Sequence, residues 1–374
     1  MAEFVHLHLH SEYSLLDGAS DLEKLVKRAK DLGMPSVAVT DHGNIFGAVH
    51  FTNYAKKHDI RPIIGCELYI CQKSDHDVER MAPEGDQYNH LVVLAETDEG
   101  YRNLAKIVSE ASLHGFYYKP RISKQFLADH SAGLIGLSAC LKGEVAENLM
   151  YGKYEQAKAA AGQFREIFGA KSFFIEVQNQ GLPQEQQILP EQFRLARELD
   201  IPTVATNDSH YLCEDDAHAH DILLCVGTGK SLNDSDRLKF HGDQFFVKSP
   251  EQMAQVFGER PDALQNTVSI AERCHAKIGK VDSIPDFAVP PGFTAETYFE
   301  HVAREGFKAR MEELHPRREK GLLKHPQSEY EERLNFELDI IRRMKYPGYF
   351  LIVWDFIRYA RENNIPVGPG RGSA

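Results

Sequence analysis

The chain has 374 residues, enough for two ordinary domains or for a large barrel with an appendage. With 42% hydrophobic and 26% charged residues it has the composition of a globular protein, and no run approaches the roughly 18–20 apolar residues that span a bilayer. A formal net charge of −12 sits poorly with nucleic-acid binding by surface charge alone, and six cysteines without a C-x-x-C pair exclude a disulfide framework or a zinc knuckle. Carboxylates gathered around metal ions would be neutralised there, and 18 histidines supply the commonest metal ligand. The start, Met1-Ala2-Glu3-Phe4, lacks a signal peptide's basic and apolar segments, so the cytoplasm is the expected address.

Short β-rich runs alternate with helical stretches through the first two hundred residues. Strands are predicted at 4–8, 36–40, 63–70, 90–95, 134–138, 173–177 and 202–206. The first helix opens on the capping box Ser20-x-x-Glu23 and carries Leu22, Leu25, Val26 and Ala29 on one face. Further helices are expected at 47–58, 99–112, 154–168 and 185–199. Alternating strands and helices imply a mostly parallel sheet, and seven or eight such units suggest a closed barrel with its chemistry at the C-terminal strand ends. A proline-rich linker over 282–292 ends the first domain, taken as 1–282, and begins a second, 283–374. In that second domain amphipathic helices are expected near 296–314 and 328–344, the latter with Tyr330, Leu334, Leu338 and Ile341 on one face. The Arg- and Lys-rich stretch 304–345 reads as solvated helix faces or as DNA contact.

The chemistry begins at His6-Leu7-His8-Leu9-His10, where strand alternation places three imidazoles on one side, followed by Asp17. Three histidines on one face are costly to bury without a partner, and a metal supplies the reason. Donors recur after later strands: Asp41 and His42 after the second, Glu67 on the third, Cys140 after the fifth, Asp208 and His210 after the seventh. His90 opens its strand instead of closing it and fits the pattern less well. His6, His218, His220 and Glu176 lie near this set but outside it, with Glu176 kept as an inward-facing carboxylate. Gly229-Lys230-Ser231 is no P-loop, because the required earlier glycine is Leu224.

His8-x-His10, Thr40-Asp41-His42-Gly43, Glu67, His90, Cys140 and Asp208-x-His210 together resemble the polymerase and histidinol phosphatase (PHP) family. The resemblance implies an α/β fold, a distorted (β/α)7 PHP barrel, with up to three metals held by His8, His10, Asp17, His42, Glu67, His90, Cys140, Asp208 and His210. His10, Glu67, Asp208 and His210 stand as its catalytic members. The donor set suits Zn²⁺, with Mn²⁺ or Fe as competitors. The implied activity is metal-assisted phosphoester hydrolysis. Lys119 and Arg121, behind Phe116-Tyr117-Tyr118, could bind substrate phosphate while the aromatics stack a base, or the run could be a packed loop.

The last segment, 346–356 and then Gly368-Pro369-Gly370-Arg371-Gly372-Ser373-Ala374, is similar to the palm entry of bacterial DNA polymerase III alpha subunits. In that family the turn Gly370, Arg371, Gly372, Ser373 meets the nucleotide triphosphate. The resemblance implies a partial, α-rich palm segment, DNA and dNTP as partners of the longer protein, replisome subunits including a proofreading exonuclease as further partners, and no membrane. Mg²⁺ would serve a polymerase site whose paired aspartates are not in this chain, so the chain alone is expected not to polymerise. Three roles are implied for the barrel: an intrinsic 3′–5′ proofreading exonuclease, a metal-stabilised scaffold for a separate exonuclease, or a pyrophosphatase.

Overall fold

The computed structural model describes residues 3–71, 88–279 and 285–368. The chain divides into two compact units, Met1–Gly279 and Lys280–Ala374. No helix among the described residues is long and apolar enough to cross a membrane.

The first unit is built on a curled sheet of eight strands: β1 Ser36–Val39, β2 Arg61–Cys71, β3 Tyr88–Ala95, β4 Phe116–Tyr117, β5 Lys119–Ser123, β6 Leu134–Leu137, β7 Phe173–Val177 and β8 Thr203–Ala205. Hydrogen bonding orders them β4-β5-β2-β3-β6-β7-β8, with β1 on β2. The long β2 changes neighbour along its length, pairing with β1 over 61–64 and with β5 over 69–71. Six of the seven predicted strands match. The stretch 4–8 forms no regular strand but takes a strand's place. Ala38 N–H donates to the His6 carbonyl and Thr40 N–H to that of Leu9, each at 2.8 Å, while His10 N–H donates to the Ser209 carbonyl at 2.8 Å. The stretch thereby ties β1 to the segment that follows β8 and joins the two sides of the curled sheet.

The sheet is not uniformly parallel. β3 runs antiparallel to both β2 and β6, and β4 to β5, whereas β1 and β5 run parallel to β2, β7 to β6 and β8 to β7. Because β3 is reversed, its first residues lie beside the last residues of β2, with Tyr69 opposite His90. His90 therefore reaches the same end of the sheet as the donors that close the parallel strands, which removes the misfit seen in the sequence.

Alternation divides the strand residues between two cores. Val37, Ile64, Leu68, Val93 and Ile175 pack outward against the helices. These include α1 Leu22–Asp31, α2 Ala48–Lys57, α3 Asp98–Leu113, α4 Lys124–Asp129, α5 Glu144–Met150, α6 Tyr154–Phe168 and α7 Pro183–Glu198. Helix α1 is capped by Asp21, whose side chain accepts from Lys24 N–H, and not by Ser20 as the capping-box spacing suggested. Ala38, Ile63, Val92, Leu94, Ile135 and Phe174 face the interior. After α8 Ala217–Thr228 and α9 Pro250–Phe257, helix α10 Pro261–Arg273 seals that interior with Ile270 and Ala271. On the same inward face, further along their strands, stand Glu67, His90 and Glu176: apolar at the base, titratable at the mouth.

The second unit carries α11 Ala295–Glu313, α12 His315–Glu319, α13 Gln327–Arg343 and α14 Pro347–Glu362. Its small core of Phe299, Leu338 and Leu351 is flanked by Leu334, Ile341 and Trp354. The basic stretch is drawn into exposed ion pairs, Arg304 and Arg342 with Glu300, Arg333 with Glu337 and Arg343 with Asp339. Such pairs each contribute little, as solvated faces do.

Candidate metal centre

The nine donors of the family pattern meet at the mouth of the curled sheet, whereas His6 and Asp41 do not join them. Glu67, fully buried, is the hub. Its Oε1 lies 2.6 Å from His90 Nδ1, 3.5 Å from His8 Nε2 and 3.7 Å from Cys140 Sγ. Its Oε2 lies 2.6 Å from His42 Nδ1 and 3.6 Å from His10 Nε2. Asp208 forms a second focus, with Oδ1 3.2 Å from both His8 Nε2 and His10 Nε2 and 3.7 Å from His210 Nδ1. Asp17 faces His42 Nε2 at 3.2 Å and His210 Nε2 at 4.0 Å. Among the described residues three trios hold their donor atoms within 4.8 Å of one another: His10–His42–His210, His8–His10–Glu67 and His42–Glu67–His90.

These groups fit divalent cations better than they fit each other. Asp17 Oδ1, His42 Nδ1, Glu67 Oε2 and Asp208 Oδ1 are buried without a hydrogen-bond partner among the described residues. His42 Nδ1 and Glu67 Oε2 lie 2.6 Å apart, yet both count among these four, so the pair is close without being aligned to share a proton. Buried polar atoms left unmatched are rare, and a cation among them satisfies several lone pairs at once.

The local field is strong. Burial opposes a charge on His42, but the Asp17 and Glu67 carboxylates outweigh it and raise its pKa to about 10. On His8 burial is likewise outweighed, by Asp208 and Glu176, and the ring holds its proton well above the ordinary range. Burial pulls His10 down to about 3, helped by repulsion from His42 and His210. Burial and the Glu67 charge push the Cys140 thiol well upward. Glu67 itself stays well below the usual carboxylate range, because His90 and His42 overcome the burial that opposes its charge.

A surrounding layer aims the rings. Ser14 Oγ gives its proton to Asp41 Oδ1 at 2.8 Å, so it accepts from His10 Nδ1–H at 2.9 Å and leaves His10 Nε2 as a lone pair facing the site. Asp41 is itself held by the N–H and hydroxyl of Ser11. Glu176 Oε1 takes His8 Nδ1–H at 2.6 Å together with Thr206 Oγ1 and Gln178 Nε2. His220 lies on α8 and donates from Nε2 to the Asp17 carbonyl at 2.7 Å, steadying the Asp17 loop. Gly43, next to His42, has φ +61°, and an added Cβ would stand 2.5 Å from Pro120 Cγ, so no other residue fits there without strain. The roles of Ser14 and His220 depend on partners distant in the chain and left no mark in the strand pattern; Asp41 was visible only as part of the Thr40-Asp41-His42-Gly43 motif.

Other candidates fall elsewhere. His6 is buried outside the cluster, its Nε2 on the Lys248 carbonyl at 2.9 Å and its pKa drawn down to about 4 by burial. Arg121 is only 2% exposed; its Nε serves the Gly115 carbonyl and its guanidinium lies 5.4 Å from the Tyr117 ring centre, which braces the β4–β5 turn. Lys119 Nζ sits 5.4 Å from the centre of the Tyr69 ring, whose centre is in turn 5.2 Å from that of His90, which leaves it at the mouth. Tyr118, at 80% exposed, is free of the core. Gly370, Arg371, Gly372 and Ser373 lie outside the described residues.

Residues 6–180 match the PHP domain family, and residues 297–374 match the family described as bacterial DNA polymerase III alpha NTPase domain. The chain is 46% identical over 372 residues to DNA polymerase III subunit alpha of Treponema pallidum, covering 99% of this chain and 31% of that protein. It is 45% identical over 396 residues to the Helicobacter pylori counterpart, covering 99% and 32%. A solved two-domain, PHP-like protein of Bacteroides vulgatus overlaps 76% of this chain and 73% of its own at TM-score 0.34 and 13% identity, too distant to bear on chemistry. The chain thus spans about a third of the length of the curated relatives it matches. It belongs to the family of bacterial DNA polymerase III alpha subunits, with a PHP domain at its front.

Proposed function

We propose that the first unit is a metal-dependent phosphoesterase that removes nucleotides from DNA 3′ ends, acting as a proofreading site for an attached polymerase. The observation that carries the reading is the gathering of nine donors, Glu67 and Asp208 among them, at one end of the sheet, with four of their buried atoms unmatched among the described residues. We assign His8, His10, Asp17, His42, Glu67, His90, Cys140, Asp208 and His210 as ligands. Zn²⁺ or Mn²⁺ suits that mixture of imidazole, carboxylate and thiolate. When bound, the cations supply Lewis-acid polarisation and charge neutralisation at a phosphoryl group.

The chain's own residues do the rest. Glu67 reaches five other donors and can be shared between cations. Ser14 and Glu176 keep the Nε2 atoms of His10 and His8 turned inward. Lys119 offers a cation to a substrate phosphate at the mouth. DNA and other replisome subunits are the partners this reading implies.

The test is release of 3′-terminal nucleotides from end-labelled single-stranded DNA with added Zn²⁺ or Mn²⁺. Release abolished by a chelator, by His10→Ala and by Asp208→Asn is the expected result. No release from folded, metal-loaded protein overturns the nuclease and leaves a metal-stabilised scaffold.

A further inference from the structure

Lys248 is an unusual residue in this barrel. It is 3% exposed, and its Nζ donates to the side-chain oxygen of Asn207 at 3.0 Å and to the Gln244 carbonyl. Both partners are neutral. A buried ammonium held by neutral oxygens is costly to keep, since lysines are seldom fully buried unless paired with a countercharge. Burial pulls its pKa down to about 8, against the more distant pull of Glu214 and Glu185. Nζ also lies over the Phe246 ring, 4.6 Å from its centre.

What this ammonium touches is the arm that carries two of the site's donors. Asn207 accepts from Lys248 with Oδ1 and donates with Nδ2 to the carbonyls of Gln244 at 2.8 Å and Phe246 at 2.9 Å, so its amide can face only one way. The next residue, Asp208, has φ +42°, in the left-handed region that a non-glycine residue occupies only when its surroundings impose it. Ser209 Oγ donates to the Phe246 carbonyl at 3.0 Å, His210 N–H to that of Phe245 at 2.8 Å, and Val247 N–H to that of Tyr211 at 3.1 Å. Residues 244–248 therefore run alongside 207–211 as a splint, with Lys248 at its end. The segment lies beyond the part of the chain that matches the PHP family, and no strand, repeat or motif marked it in the sequence.

We infer that Lys248 is a positioning residue: by fixing the Asn207 amide it holds Asp208 in its left-handed turn and so sets the donor geometry of the Asp208–His210 arm. The inference rests on the reading of this cluster as a metal centre. It assigns Lys248 no contact with metal or substrate.

The experiment is a binding titration of Zn²⁺, and separately Mn²⁺, into the stripped whole chain by calorimetry, beside its thermal unfolding. Lys248→Met keeps an unbranched apolar side chain at the buried position and removes the ammonium, with its bonds to Asn207 and Gln244 and its contact over the Phe246 ring. Asn207→Asp keeps the acceptor for Lys248 and removes both amide donors, and it carries the test alone if Lys248→Met does not fold. Met253→Ala, a buried core position on α9 whose side chain takes no part in the hydrogen bonds of the arm, supplies a destabilised chain with those bonds in place. Each arm variant is expected to weaken at least one cation site about 10- to 100-fold, the range typical when a group supporting a ligand is lost. Met253→Ala is expected to bind within twofold of wild type. The double variant should lose little more than the worse single one, because both act through one arm. Folded Lys248→Met or Asn207→Asp binding like wild type overturns the inference, as does an equal loss in Met253→Ala. Absence of binding by wild type overturns the metal centre itself, a separate result.

Discussion

Loading the barrel with a divalent cation should expel protons. In the metal-free chain three of the assigned donors carry one at pH 7.5. His8 holds its proton because Asp208 and Glu176 outweigh burial, and His42 because Asp17 and Glu67 do the same. Cys140 keeps its thiol proton because burial and the Glu67 charge push its pKa upward. A ligand must offer a lone pair, so each proton leaves as the cation binds. For His42, displacing a proton held with a pKa of about 10 costs roughly 3 kcal/mol at pH 7.5, on the order of a hundredfold in apparent affinity. Apparent affinity should accordingly climb with pH up to about 10 through the His42 proton, and go on climbing while Cys140 still holds its own. The metal-free fold moves the other way: a group whose pKa is raised on folding stabilises fully below its unfolded value, and that contribution fades as pH rises through about 10. Calorimetric titration of Zn²⁺ or Mn²⁺ in buffers of differing ionisation enthalpy counts the protons. About three are expected for full loading of wild type and about two for Cys140→Ser. Binding without proton release, or equal release from Cys140→Ser, would refute the assignment of these donors.

Two further outcomes follow from the same geometry. Stripping the loaded protein with a chelator should lower its melting temperature, since a cation at a hundred times its Kd contributes about 2.7 kcal/mol. At about 2–4 °C per kcal/mol for a unit of this size that amounts to several degrees in a calorimetric scan, and superimposable scans would count against metal binding. Gly43→Ala forces a Cβ to within 2.5 Å of Pro120 and 3.1 Å of Tyr69 at φ +61°. It should cost about 1–3 kcal/mol in urea unfolding and weaken metal loading through His42, and an unshifted midpoint would show that the turn relaxes freely.

Local pattern made much of this protein legible from its residues alone. A two-residue period marks which side chains share a strand face, and a 3.6-residue period marks helices; both are short-range, so six strands and the main helices could be placed from them. The donors too were visible, because imidazoles, carboxylates and a thiol recur where strands end. Polarity and burial were not, since both depend on partners far away in the chain. Nothing near His90 says that β3 runs backwards; only its pairing with β2 and β6 brings His90 to the mouth. Nor does anything local to Arg121 show that the turn buries it. Ser20 has the spacing of a cap, but Asp21 takes the role because its carboxylate is the group that reaches Lys24 N–H. The splint of 244–248 on 207–211 joins segments more than thirty residues apart, the contact of Glu176 with His8 spans 168 residues, and that of Ser14 with His42 spans 28. The sequence determined which atoms could bind a metal; the tertiary structure decided which of them point at a common centre, because orientation is set by hydrogen bonds that only the folded chain brings within reach.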